Sequence, residues 1–370
     1  ETKGADAMLA AKQRFPNIDA LNNPDTRIVC TPDSPSETLA RVVLAYFELD
    51  NLSTSPFVYV NSAEEVYEVY KRAKPDDPMV FVLWEPYVSK MAENPDYHTI
   101  VDSSKFRGYI ADVIVARRGF LVKNEEVVDR VIKAYLTAIF NNRTDMAGLV
   151  ADDAKQLGTP VKLEQAEVLA QKIWWKNTQE NFAHMGLTSG HNIQHLEEIC
   201  ANIINVLLKT GAIKQDPTNG QPNLLFYDGI VRRLFDTSWH PGFGQEGVRS
   251  EVSLNALTDE EWESLKPVGT LQVPRLVFAR GTSRLTGLSE QTLDSLVEKL
   301  KTWPQYYLVV LGNCSKEGDV AANQKLAEDR AKTAVDYLVS KGVNRNRIRA
   351  KTSEPNGFTT VAFVLGELPY

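Results

Sequence analysis

The clearest candidate for binding chemistry is a serine-rich turn, residues 31–36, that leads from an apolar run into a helical one. The apolar run, residues 26–30, predicts a short strand, and residues 37–48 predict a helix. Ser34 or Ser36 is expected to cap that helix, and the amides of its first turn then form an anion site. An ordinary N-cap without a ligand is the alternative interpretation, because many helices begin in this way.

Other residues that could do chemistry are scattered through the middle of the chain. His191 and His195 have a spacing that allows a metal pair on one helix face, but no acidic third ligand is placed beside them. Trp174 and Trp175 could stack on a ligand ring, although tryptophans on an amphipathic helix usually pack in the core. No nucleophile–base pair, phosphate loop or HExxH element occurs. The sequence therefore predicts no catalytic residue, no metal site and no cofactor.

The serine-rich turn lies within a series of alternating predicted strands and helices, and these elements determine its position in the fold. Such alternation is typical of an α/β sheet, which binds ligands where its strand order reverses. The predicted strands are residues 26–30, 56–60, 79–83, 99–103 and 109–117. The predicted helices are residues 37–48, 63–73 and 124–140, and helical patterns continue from residue 149 to residue 214.

A second pattern of strands and helices occupies the end of the chain, from about Gly269 onward. Its centre is the apolar run Tyr307–Leu311, which predicts a buried strand, followed by a polar loop between Gly312 and Gly318. A helix with apolar residues at helical spacing then ends at Gly342. Further strands are predicted at residues 275–279, 346–350 and 360–365, with a helix from residue 288 to residue 303. This order predicts a small sheet with helices on one face.

The strand–loop–helix at residues 306–338 resembles the core of the OmpA-like peptidoglycan-associating domain. The signature of that family is a Gly-x-Thr-Asp loop, a downstream Asn and Leu-Ser-x-x-Arg-Ala. The matching residues here are Gly312, Gly318, Asn323, Leu326, Arg330 and Ala331. In that family the loop aspartate receives the ammonium and the arginine receives the carboxylate of a diaminopimelate group. The resemblance therefore implies peptidoglycan as a partner.

One position of the resemblance changes its chemistry. Ser315 lies where the family has its aspartate, and Cys314 lies where it has its threonine. The loss of one charge-assisted hydrogen bond costs on the order of 1.5–3 kcal/mol, or about tenfold to hundredfold in affinity. Glu317 and Asp319 are nearby carboxylates that could replace it. The resemblance thus implies a weakened wall site that consists of Ser315, Asn323 and Arg330.

Residues 1–210 resemble the periplasmic solute-binding proteins of the nitrate, sulfonate and taurine type. The resemblance is carried by GADA at residues 4–7, TPDSPSETL at 31–39, WEPY at 84–87 and DVIVARRGFL at 112–121. It implies two α/β lobes that close over a small, often anionic solute, and an ABC permease as a partner. The residues that would face the cleft are Ser34, Ser36, Trp84 and Glu85. Because much of the first lobe precedes the GADA segment in that family, we expect an incomplete first lobe.

Composition limits the class of protein. With 370 residues, 43% hydrophobic and 24% charged, the chain is long enough for two or three ordinary globular domains. A net charge of −7 without a basic cluster argues against nucleic acid, and no run of about 18 apolar residues predicts a membrane span. No secretory signal is visible. Cys30, Cys200 and Cys314 form no CxxC pair, which leaves either free thiols or a single Cys30–Cys200 bridge.

The predicted fold class is α/β, with periplasmic-binding-protein-like lobes and a C-terminal OmpA-like α+β sandwich. The predicted domains are 1–235, a linker at 236–266 rich in Gly, Pro and Ser, and 267–370. The predicted function is a non-catalytic solute-binding protein of the periplasm or cell envelope, tethered to peptidoglycan. The alternative is a structural or interaction protein of the envelope with a degenerate wall site and no small-molecule ligand.

Overall fold

The chain packs into two compact units, each formed from separate stretches of sequence. The computed structural model describes residues 4–158, 160–188, 193–242, 247–248 and 254–369. One unit comprises Glu1–Asp6 and Gly108–Glu251, and the other comprises Ala7–Arg107 and Val252–Tyr370. These units are defined by packing, whereas the predicted limits of 1–235, 236–266 and 267–370 follow resemblance along the sequence. The predicted limits stay a prediction.

Strands and helices are distributed over the whole described chain. The strands are β1 (Asp6–Ala11), β2 (Arg27–Cys30), β3 (Phe57–Tyr59), β4 (Met79–Trp84), β5 (Tyr97–Asp102), β6 (Lys266–Thr270), β7 (Tyr307–Gly312), β8 (Ile348–Thr352) and β9 (Val361–Glu367). The helices are α1 (Pro35–Tyr46), α2 (Ala63–Arg72), α3 (Tyr87–Ala92), α4 (Arg118–Lys123), α5 (Glu125–Asn142), α6 (Met146–Gln156), α7 (Leu163–Gln171), α8 (Thr178–His184), α9 (Leu196–Lys209), α10 (Gly229–Asp236), α11 (Asp259–Ser264), α12 (Gly287–Thr302) and α13 (Val320–Ser340). None of these helices combines the length and apolar composition needed to cross a membrane.

The first sheet has the strand order β3-β2-β4-β1-β5. β2 runs parallel to both β3 and β4, and β5 runs antiparallel to β1. Because side chains alternate between the two faces of a strand, Leu9, Val29 and Phe81 reach the same side and pack with Val66 of α2. The predicted α/β fold class is confirmed.

The second sheet has the strand order β6-β9-β7-β8, with β7 parallel to β8 and antiparallel to β9. The chain order is β6-α12-β7-α13-β8-β9, and α13 packs against β7 and β8. The buried face of α13 includes three alanines, Ala327, Ala331 and Ala334, together with Val335 and Leu338. These alanines let the helix approach closely. A Cβ atom added at Gly312 would lie 2.2 Å from the carbonyl oxygen of Ala327.

The two sheets belong to the same unit, and a buried tryptophan joins them. Trp303 follows α12 and is fully buried, with its ring 5.2 Å from that of Phe47 and 5.5 Å from that of Phe106. The backbone N–H of Gln272 donates to the carbonyl of Tyr46 at 2.7 Å. Residues 7–107 and the second sheet therefore share a core.

Two predicted strands are wrong. Residues 109–117 are not assigned to a strand, and none of the sheet pairs of the described chain includes them. Residues 275–279 contribute only an isolated bridge between Phe278 and Leu285, and β6 is the strand that precedes α12 in the second sheet. An apolar run becomes a strand only when a neighbouring strand satisfies its backbone groups, and sequence pattern does not determine that neighbour.

Candidate functional site

The turn before α1 and the loop after β4 lie at one edge of the first sheet. β2 and β4 are neighbouring parallel strands, with Val29 opposite Phe81, so their carboxyl ends are adjacent. From β2 the chain passes through α1 to β3 on one side, and from β3 through α2 to β4 on the other side. This is the point at which the strand order reverses, where α/β sheets commonly bind ligands. The residues predicted to face a cleft follow β2 or end β4, and they are Ser34, Ser36, Trp84 and Glu85.

The two serines belong to the start of α1. The Ser34 hydroxyl accepts a hydrogen bond from the N–H of Glu37 at 3.2 Å and donates to the carbonyl of Thr31 at 2.6 Å. Ser36 is fully buried in the first turn. Pro35 has no N–H to offer. The fold thus uses the Ser34 hydroxyl as an N-cap, and a role of either serine in solute binding stays a prediction.

Trp84 and Glu85 link the end of β4 to α3. Trp84 is half-buried and packs against the apolar cluster formed with α2. The Glu85 carboxylate accepts hydrogen bonds from the backbone N–H of Ser89 at 3.1 Å and from its hydroxyl at 2.9 Å. Both residues therefore shape the loop, and their contact with a solute also stays a prediction.

Beside this edge lies a buried ion pair that sequence reasoning missed. One carboxylate oxygen of Glu37 is 2.6 Å from a terminal nitrogen of Arg41, and the Tyr59 hydroxyl donates to the same oxygen at 2.8 Å. The guanidinium group of Arg41 lies over the ring of Phe57, 4.7 Å from its centre. The available signal was the spacing of Glu37 and Arg41, which places opposite charges on one face of a helix.

Burial and the contacts of this pair shift the pKa values of Glu37, Tyr59 and Cys30. Burial alone would raise the pKa of Glu37, but hydrogen bonds from Tyr59, Arg41 and the N–H of Asp33 outweigh it and lower the pKa below its ordinary value. Burial and the Glu37 carboxylate raise the pKa of Tyr59 to about 12. Burial and the charge of Glu37 also raise the pKa of the Cys30 thiol to about 12. At neutral pH, Tyr59 and Cys30 are therefore protonated and unsuited to act as nucleophiles.

Acid should remove the stabilisation that depends on the Glu37 carboxylate. Because the pKa of Glu37 is lower in the folded state, its stabilisation is complete above the ordinary value of 4.5 and is lost as the pH falls through the folded value. We expect the free energy of unfolding to decline less steeply in this range for Glu37→Gln than for the wild type. Urea unfolding over a pH series measures this difference.

Glu65 offers a matched control for that experiment. Glu65 occupies the third position of α2, as Glu37 does in α1. Its side chain is exposed, and its carboxylate accepts hydrogen bonds from Asn61. Its backbone N–H donates to the hydroxyl of the N-cap residue Ser62. Glu65→Gln should retain most of the acid dependence of the wild type, because exposed interactions of a carboxylate contribute little. Equal slopes for the wild type and Glu37→Gln would contradict the assignment.

The second candidate site begins in the loop between β7 and α13. The Ser315 hydroxyl accepts a hydrogen bond from the N–H of Glu317 at 3.0 Å, and the Asn323 side chain donates to the carbonyl of Glu317 at 2.7 Å. Ser315 and Asn323 thus hold the same peptide segment from two sides. The Asp319 carboxylate caps α13 by accepting from the N–H of Ala322 at 3.1 Å. Glu317 and Asp319 were the two carboxylates that could replace the loop aspartate of the family, and the structure uses Asp319 as the N-cap of α13.

Arg330 lies on α13 and is held by a different segment. Its Nε donates to the carbonyl of Thr282 at 3.1 Å, and its guanidinium carbon is 4.9 Å from the centre of the Phe278 ring. Among the described residues, its two terminal nitrogens have no hydrogen-bond partner. A half-buried guanidinium group fixed in this way presents a planar fork suited to a carboxylate.

Arg275 is a second arginine of this part of the chain. Its terminal nitrogen donates to the hydroxyl of Thr359 at 3.2 Å. Burial and the charge of Arg275 together lower the pKa of Arg330. We call Phe278, Thr282 and Arg330 the Arg330 face. Sequence reasoning identified only Arg330, because Thr282 lies 48 positions away and no local pattern connects them.

Two of the three predicted wall-binding residues share a hydrogen-bond partner. Ser315 and Asn323 meet at Glu317, but neither has a direct hydrogen bond to Arg330 among the described residues. Cys314 is buried, and its carbonyl accepts from the N–H groups of Asn356 and Gly357 at 3.3 Å. Backbone hydrogen bonds from residues 356 and 357 therefore fix the loop, and a joint role of Ser315, Asn323 and Arg330 in wall binding stays a prediction.

The remaining candidates from the sequence have structural roles or fall outside the description. Cys30, Cys200 and Cys314 are free thiols. The indole N–H of Trp174 donates to the buried carboxylate of Glu180 at 3.2 Å. His191 lies outside the described residues, and His195 is the N-cap residue of α9. A metal pair at these histidines therefore gains no support.

Known proteins share sequence with the end of this chain. Residues 277–359 match the model of the OmpA family. Outer membrane protein A of Serratia odorifera is 41% identical over 78 residues, which cover 20% of this chain and 32% of that protein. The peptidoglycan-associated lipoprotein of Brucella abortus biovar 1 is 32% identical over 75 residues, which cover 20% of this chain and 45% of that protein. The end of the chain is OmpA-like, and it spans less than half of each relative.

A solved structure resembles a larger share of the chain. The periplasmic aliphatic sulphonate binding protein SsuA from Escherichia coli matches 69% of this chain and 71% of its own, at 14% identity and a TM-score of 0.41. Solute binding by this chain stays a prediction.

Proposed function

We propose that this chain is a non-catalytic protein of the cell envelope whose OmpA-like part binds peptidoglycan through Arg330. The observation that carries the proposal is the guanidinium group itself, which Phe278 and the carbonyl of Thr282 hold in a fixed plane. Such a group can accept a carboxylate without losing further side-chain entropy, and peptide stems carry carboxylates. A relative of this part is named a peptidoglycan-associated lipoprotein, which supports the periplasm as the location.

The α/β part, in this proposal, binds a small solute at the edge where β2 and β4 end. Strand reversal at that edge and the adjoining start of α1 support an anionic solute. The proposed domains are 1–235 for solute binding, 236–266 as linker and 267–370 for the wall. An ABC permease is the partner that would take up the solute. Wall attachment would keep the binder at a high local concentration near that partner.

A second candidate function is a structural or interaction protein of the envelope that binds neither solute nor wall. The observation that favours it is that Ser315 carries no charge and engages the backbone of its own loop. Ser34 is likewise used as an N-cap. In this alternative the ancestral binding residues have become parts of the fold.

Arg330→Ala should abolish retention of the purified chain on diaminopimelate-type peptidoglycan. The variant loses a charge-assisted bond of about 1.5–3 kcal/mol, which corresponds to about tenfold to hundredfold in affinity. Cosedimentation with insoluble peptidoglycan measures the bound fraction. Arg345→Ala is a matched control, because Arg345 is an exposed arginine of the same part whose partner is Asp336 at 3.5 Å. This control should be retained like the wild type.

The same assay separates the two candidate functions. Retention that depends on Arg330 supports wall binding. Retention that Arg330→Ala leaves unchanged would refute the assigned role of Arg330. If the wild type is not retained but Ser315→Asp is, the wall site has decayed and the second candidate is the better description.

A further inference from the structure

We propose that the turn at residues 279–284 is a docking surface for the headgroups of anionic phospholipids, which it contacts through Arg280 and Arg284. This proposal goes beyond the proposed wall binding and does not depend on it. Residues 264–289 contain no Asp or Glu, but they contain Lys266, Arg275, Arg280 and Arg284. Because the whole chain has a net charge of −7, this stretch concentrates positive charge against the overall balance.

Backbone hydrogen bonds place the two arginines on one tight turn. The N–H of Ala279 donates to the carbonyl of Arg284 at 2.9 Å, and the N–H of Thr282 donates to the carbonyl of Ala279 at 3.0 Å. The N–H of Arg284 donates to the Thr282 hydroxyl at 3.2 Å. Gly281 has a φ of 69°, a left-handed conformation that glycine adopts without strain. Arg280 and Arg284 therefore extend from the two sides of the same turn.

The Arg330 face holds this turn against α13. Nε of Arg330 donates to the carbonyl of Thr282, which lies within the turn. Phe278, whose ring packs on the Arg330 guanidinium group, precedes the turn and forms a bridge with Leu285 on its other side. A backbone fixed at these points loses little further conformational entropy when its side chains bind a surface. Arg330 thus positions the turn and is not itself required to touch the lipid.

The protein does not neutralise the two arginines of the turn. Both side chains are exposed, and neither forms an ion pair among the described residues. By contrast, Lys341 and Arg345 of the same part pair with carboxylates at 2.8 and 3.5 Å. An arginine without a carboxylate partner presents its planar fork to solvent, and that fork matches the oxygens of a phosphate. Arg280 and Arg284 are therefore available to phosphate groups outside the protein.

Exposed apolar side chains adjoin the turn, and they favour a bilayer over a soluble polyanion. Val277 is 48% exposed and Leu288 is 67% exposed. The carbonyl of Val277 accepts from the N–H of Thr286 at 3.3 Å, and its N–H donates to the Ser289 hydroxyl at 2.7 Å, so these segments adjoin at the base of the turn. Apolar and basic side chains together suit an anionic membrane, because apolar groups enter the headgroup boundary while the charges meet phosphates.

Cosedimentation of the full chain with vesicles of pure phosphatidylglycerol or pure phosphatidylcholine tests the proposal. We expect binding to phosphatidylglycerol that weakens as salt increases, and no binding to phosphatidylcholine. Arg280→Ala combined with Arg284→Ala should lower the partition coefficient about thirtyfold, because each basic residue near an anionic bilayer contributes about fivefold. Lys341→Ala combined with Arg345→Ala is the matched control, since it removes the same net charge from residues that have carboxylate partners. This control should bind nearly as well as the wild type.

The outcomes separate this proposal from a general effect of charge and from wall binding. Equal losses in the two double variants would overturn it, because net charge and not the turn would then determine binding. Equal binding to both lipids, or binding to neither, would also overturn it. Retention on peptidoglycan should be the same for the wild type and for Arg280→Ala combined with Arg284→Ala. If that variant lost retention but kept vesicle binding, the turn would belong to the wall site and the proposal would be wrong.

Discussion

Trp303→Ala is expected to lower the free energy of unfolding by about 3–5 kcal/mol, the range for removing a large aromatic side chain from a core. Trp303 is fully buried, and its ring lies 5.8 Å from that of Tyr46 and 6.1 Å from that of Tyr306. Phe47 and Phe106 contact it from the remaining sides. Backbone pairing fixes the chain beside these rings, as in the bridge between Phe47 and Leu271. The neighbouring rings therefore cannot move in to fill the cavity that the removed indole would leave.

The loss of stability in Trp303→Ala should affect both sheets of the unit. Tyr46, Phe47 and Phe106 adjoin the first sheet, whereas Tyr306 directly precedes β7 of the second. Denaturant unfolding measures the change in free energy, and hydrogen exchange at β2 and β7 shows whether both sheets lose protection. Independent behaviour of the two sheets would contradict the shared core.

Two variants control for the Trp303 result. Leu288→Ala alters a side chain of α12, the helix that precedes Trp303, and this side chain is 67% exposed, so its effect should stay within about 0.5 kcal/mol. Trp303→Phe should cost less than Trp303→Ala, because it keeps an aromatic ring. It also removes an indole N–H that has no hydrogen-bond partner among the described residues. A Trp303→Ala effect no larger than that of Leu288→Ala would refute the packing described.

Gly312→Ala is the second change with a large expected effect, a destabilisation of about 3 kcal/mol or slightly more. The added Cβ would lie 2.2 Å from the carbonyl oxygen and 2.8 Å from the carbonyl carbon of Ala327. Both are backbone atoms of α13, so relief requires the whole helix to move. β7 also cannot shift away from the added methyl group, because it pairs with β8 on one side and with β9 on the other.

Denaturant unfolding of Gly312→Ala measures this effect, with Gly287→Ala as the matched control. Gly287 begins α12, and an added Cβ there meets no atom within 4 Å. Alanine favours helix over glycine, so the control should be neutral or slightly stabilised. If both variants were equally stable, α13 would not pack against β7 as closely as described.

Much of the local structure was predictable from the sequence. The apolar run at β7, the spacing of apolar residues in α13 and the serine before α1 each indicated an element that the structure contains. These signals are local, because helix periodicity and caps depend on residues within a few positions. The OmpA-like resemblance was also readable, since its signature lies within one strand, one loop and one helix.

The errors and omissions share a physical cause. Residues 109–117 and 275–279 have the composition of strands, but a strand also needs a partner that satisfies its backbone groups. The Glu37–Arg41 pair shows a local spacing, but its burial under Tyr59 depends on where β3 lies. Phe278 gives no sign of its contact with Arg330, because the two residues meet only through the folding of distant segments.

The sequence by itself determined the class of elements, the OmpA-like part and the arginine that carries the proposed site. Those properties depend on residue types and on spacing within single elements. Only the tertiary structure decided that Ala7–Arg107 packs with the second sheet around Trp303, and that Phe278 and Thr282 contact Arg330. Such associations depend on long-range packing, in which many apolar surfaces could pair and shape complementarity selects one arrangement.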